Sequence, residues 1–180
     1  VQVEFGRTAT ADDVLASGAD LVVVATGGRP RTPDTPGVDQ PHVVQAGAVV
    51  NGLATIGHRV ALVVEDDGPA PITIADHLAG LGHDVTMIYQ TPGPAPLVGK
   101  YSVGTMLARL DLGGVHMVPL ARVVGIDGGT LALAHSYSMR RWTIDGFDSV
   151  VLACGSTGDD ALYRELKHVH PDVRLLGDAF

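Results

Sequence analysis

The sequence contains a single cysteine, Cys154, which excludes an internal disulfide and a thiolate metal cluster. Aromatic residues make up only 4% of the chain, so any core must be built from Val, Leu, Ile and Ala. Positive charge is scarce as well. Twelve Lys and Arg face twenty Asp and Glu, and the formal net charge of −8 argues against nucleic acid and anionic membrane as partners. No apolar run approaches the roughly 18–20 residues of a membrane span, and no signal-peptide pattern is visible, so a cytoplasmic protein is expected. The pattern shows no nucleophile–base pair, no paired catalytic carboxylates and no set of metal ligands. No catalytic or metal-binding residue is therefore assigned.

What is present is a chain that can fold. It is 46% hydrophobic over 180 residues, enough for one large domain or two small ones. It starts with Val1 rather than Met and stops at Phe180, which predicts a piece of a longer polypeptide. Its organising stretch is 59–90. An apolar run at 59–64 reads as a buried parallel strand, a turn rich in Asp, Gly and Pro follows, and then come a helix over 70–81 and a second apolar run at 84–89. About 30 residues is the size of a βαβ unit, whose crossover helix joins two parallel strands. In such units the turn after the first strand cradles a phosphate.

Upstream, 1–5 alternates like a short strand. Thr10 can cap a helix that carries Asp12 and Asp13 near its positive end and stops at Gly18. Residues 19–28 read as a buried strand running into a glycine turn, and 29–41, with four prolines, as an extended connector. A short helix is expected at 45–50. Downstream of the βαβ unit, the pattern predicts a helix over about 102–112 and a strand at 115–119. An antiparallel meander follows over 121–145 and a buried strand over 147–155. Asp159 and Asp160 open a last helix, and a short strand at 173–176 leads into Gly177 and Asp178. The stretches 19–27 and 147–155 share one form: an Asp, an apolar strand, two small residues and a glycine. This echo suggests one domain inserted into another of the same design.

These features resemble the two-dinucleotide-domain flavoproteins, in which one Rossmann-type domain interrupts another. The residues that carry the resemblance are Ala25-Thr26-Gly27, followed by Gly28-Arg29-Pro30, and the closing Gly177-Asp178. Within that superfamily the sequence is similar to the C-terminal region of multidomain relatives of old yellow enzyme, such as trimethylamine dehydrogenase, histamine dehydrogenase and 2,4-dienoyl-CoA reductase. This likeness rests on His83-Asp84-Val85-Thr86, on 147–152, on 161–166 and on Leu176-Gly177-Asp178-Ala179.

The resemblance implies an α/β fold: a Rossmann-type parallel sheet with an antiparallel β-meander, flanked by part of a second dinucleotide-binding-type domain. It divides the chain into 1–45, part of an FAD/ADP-binding-type domain; 46–155, an inserted NAD(P)-binding-type domain; and 156–180, a return to the first. It implies cofactor contacts at Ala25, Thr26, Gly27, Gly28, Gly177 and Asp178, where glycines let the backbone approach and the Asp carboxylate accepts hydrogen bonds from sugar or ribityl hydroxyls. It implies FAD or ADP in the intact protein, with an FMN barrel and a 4Fe–4S cluster in an upstream part of the same polypeptide. In the amine-dehydrogenase branch an electron-transfer protein takes the electrons.

The phosphate turn of the inserted domain departs from the family pattern. A dinucleotide turn has the form G-x-G-x-x-G. Counted back from the helix, its glycines fall at 66, 68 and 71, which here are Asp66, Gly68 and Pro71. Glu65, Asp66 and Asp67 would crowd a pyrophosphate. At about 6 Å and an effective dielectric near 20, each like-charge pair costs roughly 3 kcal/mol, against about 0.3–2 kcal/mol returned by a helix N-terminus. Tyr89-Gln90-Thr91 also lacks the acid that holds an NAD ribose and the arginine that holds an NADP phosphate. NAD(P) is therefore not expected to bind. The competing expectations are a working NAD(P)H module of an NADH:flavin oxidoreductase or dienoyl-CoA reductase, and a structural or docking domain with no ligand.

Other tempting residues read plainly. Cys154 ends a buried strand as a packed thiol. His168 and His170 suit a solvated helix end. Arg140-Arg141-Trp142 is either a strand with snorkelling arginines or a surface for an acidic partner.

Overall fold

The computed structural model describes all 180 residues, Val1–Phe180. They form two compact units, Val1–Arg29 with Ser156–Phe180, and Pro30–Gly155. No helix is long and apolar enough to cross a membrane.

The smaller unit begins with irregular chain and then α1, Ala11–Ala16. Thr10 and Asp13 form a reciprocal capping box, and the Thr10 backbone N–H, Thr10 hydroxyl and Arg7 guanidinium hold the Asp13 carboxyl down to about 2. β1 is Val22–Val24 and β2 is Gly28–Pro30. The expected strand at 1–5 does not form. Val1, Val3 and Phe5 are exposed and no strand pairs with them, so their backbone has no ladder to join. The strand expected over 19–28 is cut to three residues and is only partly buried: Val24 is 2% exposed, but Leu21 and Val23 are 46% and 48% exposed.

The larger unit carries the βαβ pattern. Its elements in order are β3 Val43–Gln45, α2 Ala46–Val50, β4 Arg59–Val64, α3 Ala70–Gly80, β5 Asp84–Tyr89, α4 Lys100–Leu112 and β6 His116–Val118. The meander β7 Ala121–Asp127, β8 Thr130–His135 and β9 Arg141–Ile144 follows, and then β10 Ser149–Ala153. Five parallel strands lie in the order β3-β10-β4-β5-β6, and the meander makes a separate antiparallel sheet.

Alternation along β4 explains both layers, because successive side chains point to opposite faces. Val60, Leu62 and Val64 join Ile72, Ala75 and Leu78 of α3 and Leu110 of α4 in one core. Ala61 and Val63 join Leu131 and Leu133 of β8, with Trp142 of β9 packed against them, in the other. The sheet is thus covered on both faces, as a parallel sheet requires.

The chain then returns to the smaller unit through β11 Ser156–Gly158, α5 Ala161–Leu166 and β12 Val173–Leu175, ending in a 3-10 turn at Gly177–Ala179. β12 pairs parallel with β1, and β11 pairs with β2. The repeated sequence form has a repeated shape: β1 and β10 each run into a left-handed glycine, Gly27 at φ +75° and Gly155 at φ +77°. The expected boundary at 45 moves to 30. Connector residues pack with the larger unit, where the Arg31 N–H donates to Gly155 O at 2.9 Å, Ile126 N–H donates to Pro36 O at 2.8 Å and β3 joins the five-stranded sheet.

Leu78 is fully buried between α3 and the sheet. Leu78→Ala is expected to lower unfolding free energy by about 2–5 kcal/mol, measured by urea denaturation. A loss under about 1 kcal/mol would show that this face is not a packed core.

Candidate functional site

Each unit presents one candidate site at the carboxyl ends of its parallel strands, where α/β folds bind ligands.

In the smaller unit, Leu176 N–H donates to Val24 O at 2.9 Å. This bond sets the Gly177-Asp178 turn beside the point where Ala25 leaves β1. Thr26 Oγ1 donates to Asp159 O, and Asp159 N–H donates to Gly27 O at 2.9 Å, which fixes the Ala25-Thr26-Gly27 corner. Gly27 and Gly177 both have positive φ, +75° and +66°, and a Cβ on either would meet nothing within 4 Å. The backbone is therefore open to an approaching molecule there. The Asp178 side chain is exposed and makes no hydrogen bond within the chain. Gly28 serves packing instead, since a Cβ there would lie 2.9 Å from Ser156 Oγ and 3.2 Å from Thr157 O.

These groups suit the hydroxyl-bearing part of a flavin or adenine nucleotide: bare backbone at Gly27 and Gly177, and an acceptor carboxylate at Asp178. A pyrophosphate seat is not among them. The one helix that precedes β1, α1, is six residues long and is capped by its own Thr10.

In the larger unit the sheet changes direction between β10 and β4, and its crevice opens at Val64–Glu65 and Ala153–Cys154. A cavity of about 290 Å³ lies there, lined by Arg31, Glu65, Asp66, Asp67, Tyr89 and Gln90 among others. Four features govern its chemistry. Asp66 Oδ1 accepts the Gly68 N–H at 2.7 Å, so the one fingerprint glycine that remains has its donor engaged. Pro69 caps α3 and Pro71 lies in its first turn, so two positions at the helix start have no N–H at all. Arg31 spans the crevice, with Nε donating to Cys154 O at 2.9 Å and Nη2 to Glu65 O at 3.3 Å. Its Nη1 lies 3.0 Å from Glu65 Oε2.

The acidic turn is consequently less bare than the sequence suggests. Glu65 is neutralised by Arg31, Asp66 is folded back on Gly68, and only Asp67 has a side chain with no partner. The role of Arg31 has no local signature, because its partners lie 34 and 123 positions away along the chain. The missing donors at Pro69 and Pro71 are visible in the sequence itself.

His170 departs from a merely solvated helix end, with Nε2 2.8 Å from Ala19 O. Cys154 Sγ lies 3.8 Å from Val63 O, and burial, followed by the Glu65 charge, pushes its thiol up to about 12.

One nucleotide-binding-type unit interrupted in sequence by another defines a class, the two-dinucleotide-domain flavoproteins. The pyridine nucleotide-disulphide oxidoreductase family matches residues 2–173, and the chain belongs to that family. Membership implies an FAD-type flavin cofactor. The chain is similar to 6-hydroxypseudooxynicotine amine oxidase from Pseudomonas geniculata N1, at 26% identity and TM-score 0.85, over 96% of this chain and 28% of that one. It is similar to 2-naphthoyl-CoA reductase, at 24% identity and TM-score 0.84, over 95% and 26%. It is also similar to histamine dehydrogenase from Rhizobium sp. 4-9, at 22% identity and TM-score 0.84, over 96% and 29%. The resemblance to trimethylamine dehydrogenase-like flavoproteins thus holds at the level of fold and family, and the chain spans between a quarter and a third of these relatives.

The unfolded Cys154 thiol ionises near 9.0 and the folded one near about 12, so its contribution to stability is complete below about pH 9 and is lost as pH rises toward 12. At about pH 8 a thiol reagent is expected to label the native chain at least about 100-fold more slowly than the urea-unfolded chain. Equal rates would place the thiol at the surface.

Proposed function

We propose that this chain is the nucleotide-binding-fold portion of a flavin-dependent oxidoreductase resembling trimethylamine dehydrogenase. In this reading the smaller unit contributes to an FAD or ADP site and the larger unit has lost its NAD(P) site. The observation that carries it is the stripped phosphate turn, with Gly68 N–H engaged by Asp66 and no donors at Pro69 and Pro71. A pyrophosphate needs several backbone donors converging at a helix start. Here it would find few, beside the unpartnered Asp67.

The remainder of the enzyme lies upstream in this reading: an FMN-bearing barrel and a 4Fe–4S cluster in the same polypeptide, with an electron-transfer protein as redox partner. The limited share of each relative that the chain spans supports this. The flavin supplies the redox chemistry when bound. The residues of this chain only hold it, through Gly27, Gly177 and the Asp178 carboxylate.

The competing reading is a working NAD(P)H module, favoured by the cavity of about 290 Å³ at the crevice and by the reductase among the similar structures. Calorimetric titration separates the two. The purified chain is expected to show no binding of NADH or NADPH, and Arg31→Ala is expected not to restore it, because removing the guanidinium supplies no phosphate donors. Micromolar binding of either nucleotide to the unmodified chain would overturn the proposal.

A ligand-free docking role is tested separately. An adenine nucleotide is expected to co-purify with the intact polypeptide. Asp178→Ala is expected to weaken its retention by about tenfold or more, on the scale of about 1.5–3 kcal/mol for a hydrogen bond to a charged group. Retention unchanged by this substitution would remove Asp178 from the site.

A further inference from the structure

Positive charge in this chain is distributed unevenly. Seven of the ten arginines have a carboxylate within 4.0 Å. The other three, Arg122, Arg140 and Arg141, all belong to the meander. The two lysines are elsewhere and each lies over a tyrosine ring, Lys100 over Tyr101 and Lys167 over Tyr163.

The strand register gathers these arginines at one end of the sheet. Arg122 of β7 lies opposite Ala134 of β8, which lies opposite Arg141 of β9. Directly opposed residues share a face, so Arg122 and Arg141 lie on the face away from the core-directed row Val123–Leu133–Trp142. Arg140 follows the turn and stacks on the Trp142 ring at 4.8 Å. The nearest acids along the meander, Asp127 and Asp145, sit at its opposite end, where Asp127 pairs with Thr130 and Leu131 pairs with Ile144.

The turn between β8 and β9 is built rather than loose. The N–H groups of Tyr137 and Ser138 both donate to His135 Nδ1, at 3.2 and 3.1 Å, and Met139 takes the left-handed conformation at φ +59°. Tyr137 and Met139 are exposed at 75% and 52%. Arg122 Nη2 approaches Met139 Sδ at 3.9 Å, while Arg122 Nε is buried with no hydrogen-bond partner. Beside Arg122 lies a cavity of about 310 Å³, but Asp34 and Glu65 also line it. The unbalanced positive charge therefore belongs to the turn and not to the cavity.

We infer that the β8–β9 turn, with Arg122, Arg140 and Arg141 around Tyr137 and Met139, is a docking surface for an acidic patch on a separate protein. Three guanidiniums without carboxylates present fork-shaped donors to a partner's Asp and Glu side chains. The two exposed apolar side chains supply contact area at the centre, and a turn already fixed by His135 loses little freedom on binding. The net charge of −8 repels a polyanion that follows the surface over any distance, which favours a compact acidic protein patch over nucleic acid. This surface does not depend on whether either unit binds a nucleotide.

The test uses the full 180-residue chain, with poly-L-glutamate of about 20 residues as the acidic probe, at low and at physiological salt. Binding is expected at low salt and should weaken as salt rises. Arg140→Glu/Arg141→Glu is expected to weaken it by about tenfold or more with an unchanged thermal melting curve, since both side chains are exposed. Lys100→Glu/Lys167→Glu makes the same change in net charge at remote sites and is expected to shift binding by less than about threefold. Three results would overturn the inference: no binding at low salt, equal weakening in both double variants, or tighter binding of a single-stranded oligonucleotide of matched charge. Self-association of the chain through this turn, seen by sedimentation and abolished by Arg140→Glu/Arg141→Glu, would replace the acidic partner with a second copy.

Discussion

A parallel sheet must be covered on both faces, and this constraint accounts for most of the structure. The larger unit meets it alone. Its five-stranded sheet has α3 and α4 against one face and the meander against the other, and both cores contain fully buried residues. The smaller unit does not meet it alone. Its two-stranded sheet leaves Leu21 and Val23 about half exposed, and only Val24 of β1 is truly buried. Parallel strands with apolar residues left open to water carry an uncompensated hydrophobic cost. One unit has the anatomy of a complete module, and the other that of a part.

The two candidate sites differ in the same way. In the smaller unit the backbone is bare and the acceptor at Asp178 is free, so it has groups to offer. In the larger unit the groups that a phosphate would use are engaged or missing. Charge repulsion is the weaker obstacle of the two, because the Arg31 guanidinium already balances Glu65. The absence of converging N–H groups is the stronger, since a buried phosphate oxygen without donors forfeits hydrogen bonds that water would have supplied.

Much of this was legible in the residues. The edges of β4, α3 and β5 follow from the apolar runs and the Asp-Gly-Pro turn between them, because a strand buried on both faces and a helix of about three turns leave different periods. The meander could be read from its short alternating strands and its Asp-Gly-Gly junction. What escaped was long-range. The strand expected at 1–5 has the right alternation but no neighbour to pair with, and pairing cannot be read from alternation. Arg31 lies in a proline-rich connector that reads as a linker, yet it binds groups on two strands far away in sequence. The same bonds move the boundary between the units from 45 to 30. Among the candidate cofactor residues, Gly28 proved to be a packing glycine. The sequence shows that a side chain is absent there, but only the fold shows that Ser156 fills the space.

The Asp66–Gly68 hydrogen bond, the two prolines at the start of α3 and the Arg31 bridge also bear on the history of this crevice. Reverting any one of them leaves the others in force, so no single codon change would give a partly working binder for selection to improve. The former nucleotide seat is in effect locked by redundancy. The residues around it are then free to drift toward other uses, constrained only by the packing of the sheet beneath.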